Sequence, residues 1–353
     1  MYINQLPTIK FDEIYTGYST SQSLNYSTIF TGNVSFSHYG PESLECFTNY
    51  KGAKKRIPNF LIKIPEGVFI GGSFNIFSIK DSVKFHHYAI DHAYNQHDDW
   101  DDYFNINHNQ IIPKDIQRIK GKVLLIKGTW SHAFYHFLTE VLAKLSIAKK
   151  EFDFSQFDKI VIGSPHLSFV KQWIAMLGID SSVVIDVPDD LPIMCDELYV
   201  PTYLQECGHS SLELINFLNG STKDKLKINP NLVGYKKIYI SRSGGRKVIN
   251  EIEIEKLLFS AGYKSLRLEN FSVNDQIFLF KNAQSVVAPH GAGLTNLLFS
   301  NSEVLELAGK NYNNPCFADI CLNKKVDFRY IVCKQLGSDL IAPIPLIEEF
   351  LQK

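Results

Sequence analysis

The sequence predicts an α/β fold of two domains with a strand-rich N-terminal segment, and three observations carry the prediction. Short apolar runs alternate with segments of helical period from residue 122 onwards, the pattern of parallel strands joined by crossover helices. At 353 residues the chain is longer than one hydrophobic core usually serves. The run 285–288 stops at Pro289-His290-Gly291-Ala292-Gly293 and a helical pattern resumes at Leu294, the strand, glycine turn and helix of a doubly wound sheet.

Residues 1–115 are turn-rich. Runs at 60–64, 67–70 and 75–79, separated by Pro, Gly and Asn, read as strands. The acidic stretch 91–102 contains Asp99 and Asp101; clustered carboxylates attract hard cations, and a solvated loop is the plainer reading. Residues 122–126 read as a buried strand. A long helix follows at 132–149, because Phe134, Phe137, Leu138, Val141, Leu142 and Leu145 recur at helical spacing. Strands at 159–162 and 182–185 flank a helix at 168–177. The polar stretch 216–235 reads as a linker, which places the domains at 1–225 and 226–342 and leaves a short amphipathic helix in 343–353. The second domain restarts with a strand at 237–240, a polar loop at 241–247 and a helix at 251–261. Strand 265–268, helix 273–282, strand 285–288, helix 294–299 and strand 304–307 complete a unit shaped like a mononucleotide-binding half.

Composition narrows the function. A formal net charge of −1 gives no case for nucleic acid or an anionic membrane as partner. Cys46, Cys195, Cys207, Cys316, Cys321 and Cys333 show no Cys-x-x-Cys or zinc-site spacing and read as buried free thiols, the usage of a reducing compartment. The N-terminal residues lack the basic start and apolar core of a signal peptide, and no apolar run is long enough to span a membrane. The expected location is the cytoplasm.

Two strand ends in the second domain carry polar residues at the edge where open α/β sheets bind ligands. Ser241 and Arg242 follow 237–240, and Arg246 lies in the same loop; guanidinium groups match the oxygens of a diphosphate. His290 and Gly291 follow 285–288. The first N–H groups of a helix lack internal partners, and Gly291, Ala292 and Gly293 are small enough to let a phosphate approach them. The cradle fits a nucleotide pyrophosphate, although an ordinary βα turn has the same local signature. Glu306 interrupts an apolar strand and is costly to bury alone. A ribose diol, an ion pair with Lys310 or exposure at the strand end would each account for it. Asn250 reads as the N-cap of the helix that follows.

From Tyr239 to Leu307 the residues resemble the signature of glycosyltransferase family 61. The matching positions are Tyr239-Ile240-Ser241-Arg242, Arg246, Asn250-Glu251, Leu257, Gly262-Tyr263, Glu269, Phe271-Ser272, Gln276, Ala283, His290 to Asn296, Phe299 and Glu306-Leu307. Upstream, Trp130 to Lys144 resembles the family's first motif. His136, Phe137 and Glu140 match its histidine, aromatic and acid, and Lys144 stands for its arginine. Ala133 and Ala143 depart from its asparagine and proline, which bears on acceptor specificity. The resemblance implies a GT-B-like architecture, two Rossmann-like domains facing a cleft with the nucleotide mainly on the C-terminal one. It implies an inverting glycosyltransferase with no metal or other cofactor. The donor would be a nucleotide-sugar, a UDP-sugar by resemblance, and the acceptor a glycan or lipid-linked glycan. Bacterial members resemble capsule or lipopolysaccharide builders, and the missing export and membrane segments favour that branch. Ser241, Arg242, Arg246, Glu269, His290, Gly291, Ala292, Gly293, Leu294, Thr295, Asn296 and Glu306 would hold the donor.

Inverting transfer needs a base for the acceptor hydroxyl and charge stabilisation on the departing diphosphate. His136 and Glu140 are four residues apart and share a helix face, so either can be the base. Imidazole titrates near neutrality, which favours His136 with Glu140 orienting it. His132 is a weaker choice on the same predicted helix. Two other classes compete. A non-catalytic nucleotide-sugar- or glycan-binding protein of the same fold would not need both the His136/Glu140 pair and the Arg242/His290 set. An NAD-dependent oxidoreductase would need Gly where Asn296 stands.

Overall fold

The computed structural model describes residues 7–9, 11–22, 25–52, 58–71, 75–85, 116–128, 130–205, 207–311 and 314–352. Asp99 and Asp101 lie outside the described residues. The chain divides into two compact units, residues 1–28 with 56–207, and residues 29–55 with 208–353. The second unit therefore starts at Gly208 rather than at residue 226, and it takes in an N-terminal excursion. The stretch expected to be a linker opens as the helix Leu212–Lys223. Ser211 caps it by accepting from the Leu214 N–H, and Leu214, Ile215, Leu218 and Thr222 form its buried stripe. Asn216, Gly220 and Lys223 lie on its exposed face.

In the first unit a mixed sheet runs Thr8–Ile9, Val83–Phe85, Asn75–Ser78, Gly67–Ile70, Pro192–Pro201, Gln117–Leu125, Lys159–Val161, Val184–Ile185, with Leu61–Pro65 also antiparallel to Pro192–Pro201. Its last four strands are parallel. Numbered along the chain they lie in the order 3-2-1-4, as in half of a Rossmann sheet, and the order reverses between Gln117–Leu125 and Pro192–Pro201. Periodicity did not reveal Pro192–Pro201, because acids interrupt it. In the sheet Asp196 meets Arg118 at 2.5 Å and Glu197 meets Lys63 at 2.9 Å. Phe60, Ile64, Phe69, Val123, Leu125 and Val161 belong to the core of this unit.

The long helix of this unit runs as Phe134–His136, a π turn over Phe137–Val141, and Leu142–Glu151. Phe137, Leu138, Val141, Leu142 and Leu145 are buried as the spacing predicts, and Phe134 is half-buried. His132 is exposed and precedes the helix, so it does not share a face with His136.

In the second unit the sheet runs Lys264–Leu266, Lys237–Ile240, Ser285–Pro289, Glu303–Gly309, Phe328–Leu336. These strands are parallel, and Ser37–Tyr39 adds in parallel beside Phe328–Leu336. Their order along the chain is 2-1-3-4-5, a doubly wound sheet that switches between Lys237–Ile240 and Ser285–Pro289. The helices Glu251–Ser260, Val273–Asn282 and Cys316–Lys324 lie among the connections. The connection after Ser285–Pro289 is a 3₁₀ helix, Ala292–Phe299, not the α-helix expected from Leu294. Asn296 supplies a reason: its Nδ2 donates to the Gly293 carbonyl at 3.1 Å, the acceptor that an α-helix would give to the Leu297 N–H. Asn250 stands at the cap position but does not cap with its side chain. Its amide donates to the Ala342 carbonyl and accepts from the Ala342 N–H, tying down the chain before the last helix, Ile344–Leu351. Cys46 and Cys207 are half-buried, while the other four thiols are buried as expected. No helix among the described residues is long and apolar enough to cross a membrane.

Candidate active site

The first cluster forms at the switch point of the second sheet. Lys237–Ile240 and Ser285–Pro289 are paired neighbours, so Ser241-Arg242 and His290-Gly291 leave the same edge side by side. Arg242 Nη1 donates to the His290 carbonyl at 2.9 Å. The guanidinium fills the space where a side chain on Gly291 would begin, since a Cβ there would lie 1.4 Å from Nη1. Burial, then the Arg246 charge, pushes the Arg242 pKa below its usual range, and Glu269 opposes the shift. Arg246 stands at φ 64°, a conformation that costs energy for a residue with a Cβ. Glu269 is exposed and accepts from Ser243 Oγ at 3.1 Å.

Beneath this edge, His290 Nδ1 lies 2.7 Å from Glu306 Oε1, both side chains buried, and the His290 ring packs on Phe317 with centroids 4.8 Å apart. Glu306 is thus neither exposed nor paired with Lys310, which meets Glu42 at 2.8 Å instead. Its partner is the site histidine. The first bond of the 3₁₀ helix runs from the Leu294 N–H to the Gly291 carbonyl at 2.9 Å, which leaves the Ala292 and Gly293 N–H groups without a partner inside the helix. Both residues are half-exposed. The side chains of Leu294, Thr295 and Asn296 are buried. Asn296 donates to Gln276 Oε1 at 3.0 Å, and Gln276 Nε2 donates to the Leu268 and Phe271 carbonyls, so this pair builds the cradle. Ser241 Oγ, Thr295 Oγ1 and Glu306 Oε2 are buried with no hydrogen-bond partner among the described residues. Buried polar atoms left alone are costly, and three at predicted donor positions call for an explanation.

The second cluster forms at the switch point of the first sheet. The helix after Gln117–Leu125 brings His136 Nδ1 to 2.6 Å from Glu140 Oε1, with the histidine side chain 26% exposed and the glutamate 6%. The rings of Trp130 and Tyr135 lie 6.0 and 5.3 Å from that of His136. Both members of the pair bear on the π turn, an irregularity frequent at functional sites. The chain leaving Pro192–Pro201 is held there: Gln205 Nε2 donates to the Thr139 carbonyl at 2.5 Å. That brings in Cys207. Ligand-capable atoms of His136, Glu140 and Cys207 all lie within 4.8 Å of one another.

Residues 134–305 match the family model described as Glycosyltransferase 61. This match supports a glycosyltransferase of family 61. The matched segment includes His136, Glu140, Arg242 and His290, and it ends one residue before Glu306. No curated protein matches the chain.

Sequence reasoning missed Cys207, Gln205 and Phe317 as site neighbours. None carries a spacing signal, because each reaches its cluster through strand order. Gln276 was visible as a matching position, and its two-sided amide contacts now give it a supporting role.

Proposed function

We propose that the protein is an inverting glycosyltransferase of GT-B type. It would move a sugar from a nucleotide-sugar, with UDP the favoured nucleotide, to a glycan acceptor hydroxyl without a metal at the diphosphate. Capsule or lipopolysaccharide synthesis at the inner face of a membrane is the setting that best fits the family resemblance. The observation carrying the reading is the Arg242–Gly291 contact at the switch point. The Arg242 guanidinium, which the Arg246 charge disfavours, lies against Gly291, where the helix with the Ala292 and Gly293 N–H groups begins, and an anion there relieves both.

In this reading Arg242, Arg246 and the N–H groups of Ala292 and Gly293 take up the charge on the leaving diphosphate, while Glu306 fixes the His290 ring beneath them. The unpartnered oxygens of Ser241, Thr295 and Glu306 would be satisfied by the donor. His136 is the more exposed member of its pair and serves as the base, and the buried Glu140 orients its ring. Attack of the acceptor oxygen on the anomeric carbon forms one C–O bond as the bond to the diphosphate breaks on the opposite face. The acceptor proton passes to His136, and the configuration inverts.

The test is turnover on a panel of UDP-sugars with and without EDTA, alongside Arg242→Ala. Turnover of one donor, undiminished by EDTA and lost in the variant, supports the reading. Activity abolished by EDTA, or retained in Arg242→Ala, overturns the cradle mechanism.

A further inference from the structure

We propose that His136, Glu140 and Cys207 form a binding site for a borderline-soft divalent transition metal, with Zn²⁺ the physiological candidate. Three different donors converge here: an imidazole, a carboxylate and a sulfur, all within 4.8 Å of one another. In a tetrahedral zinc site neighbouring ligand atoms stand roughly 3.3–3.8 Å apart, so side-chain rotation alone closes the set. Thiolate and imidazole select zinc over magnesium or calcium, which keeps this site distinct in kind from a diphosphate-bound hard cation.

The fold prepares the convergence from two directions. His136 and Glu140 come from one helix across its π turn, and Cys207 comes from the segment after the neighbouring strand. Gln205 pins that segment to the Thr139 carbonyl two residues before the sulfur. His136 and Cys207 are both half-buried, so an ion can reach the set from solvent. Glu140 is nearly buried and already sits 2.6 Å from the ring nitrogen. Three protein ligands leave a fourth position for water. If His136 is the base proposed above, a bound metal would draw Glu140 and the ring away from the hydrogen bond that orients the base, and zinc would inhibit transfer.

The binding claim does not depend on that reading, and its test does not use activity. The full chain, stripped with EDTA, is titrated with Co²⁺ and followed by absorbance. The expected result is a sulfur-to-cobalt charge-transfer band that saturates at one equivalent and is displaced by Zn²⁺. Cys207→Ser should abolish the band with the melting temperature unchanged. Glu140→Gln and His136→Asn should keep the band but weaken Co²⁺ binding at least tenfold. Absence of the band in the wild type, its persistence in Cys207→Ser, or unchanged affinity in both other variants overturns the proposal.

Discussion

Arg242 and Gly291 compete for one volume, and that makes the glycine the sharper probe of the cradle. The backbone of Gly291, at φ 170°, is one that any residue adopts. Gly291→Ala should therefore fold with a melting temperature near that of the wild type while its Cβ drives the guanidinium away. The expected loss in kcat/KM is about 10²–10³-fold, the scale of removing one charge-stabilising donor. Full turnover in Gly291→Ala would show that Arg242 need not sit there. Glu306 gives a second test. Glu306→Ala strands a buried His290 and should cost about 1–3 kcal/mol in urea unfolding, whereas Glu306→Gln keeps an acceptor and should recover most of it. Equal costs for the two variants would mean that the hydrogen bond contributes little. At this scale the sequence showed that Glu306 was out of place in an apolar strand, but not what it faced. Its partner is sixteen positions earlier, just past the end of the neighbouring strand, and Lys310, the nearby alternative, turned out to pair with Glu42.

The helical elements depend on side chains that spend themselves on backbone. Asn296 takes the Gly293 carbonyl and reaches Gln276, holding the 3₁₀ form that presents the Ala292 and Gly293 N–H groups. Asn296→Ala should lower affinity for free UDP about tenfold by calorimetry and reduce unfolding free energy by about 1–3 kcal/mol. Unchanged affinity would separate the 3₁₀ geometry from binding. Apolar periodicity located the helices at 168–177, 251–261 and 273–282 within a residue of where they stand, because a buried stripe repeats every turn. It did not distinguish α from 3₁₀ or π, since those forms differ by one residue in hydrogen-bond register and leave the same residues buried.

For the whole chain, the second unit borrows residues 29–55, and Ser37–Tyr39 pairs along Phe328–Leu336 while Phe36 and Phe47 pack on Phe328. A truncated chain of 208–353 loses that strand and those rings. It should show weakened or absent cooperative unfolding by circular dichroism, which linking residues 29–55 back on restores. A stable, cooperative 208–353 would show that the excursion is dispensable. Alkaline pH should also unfold the protein early. Burial pushes the Cys195 thiol up to about 12 and, with the Glu306 charge, the Cys46 thiol up to about 11, both from 9.0. Above pH 9 the unfolded chain gives up these protons first and so binds fewer of them. The stabilisation is complete below that pH and is lost as pH rises towards the folded values. Urea midpoints should fall between about pH 8 and about pH 10.5, with a shallower fall in Cys195→Ser. Midpoints that hold steady would contradict the assignment.

The sequence by itself determined the alternation of strands and helices, the glycine turn at 289–293 and the ordered residues of the family resemblance, most of which fall within the matched segment 134–305. All of these are local patterns, fixed by the period of apolar burial and by where small residues must stand. Tertiary structure decided the strand orders 3-2-1-4 and 2-1-3-4-5, and with them the two switch points. It joined Glu306 to His290 and Cys207 to His136, and it divided the chain at Gly208. Such pairings join residues from different strands and loops, and neither local propensity nor periodicity carries information about which strand lies beside which.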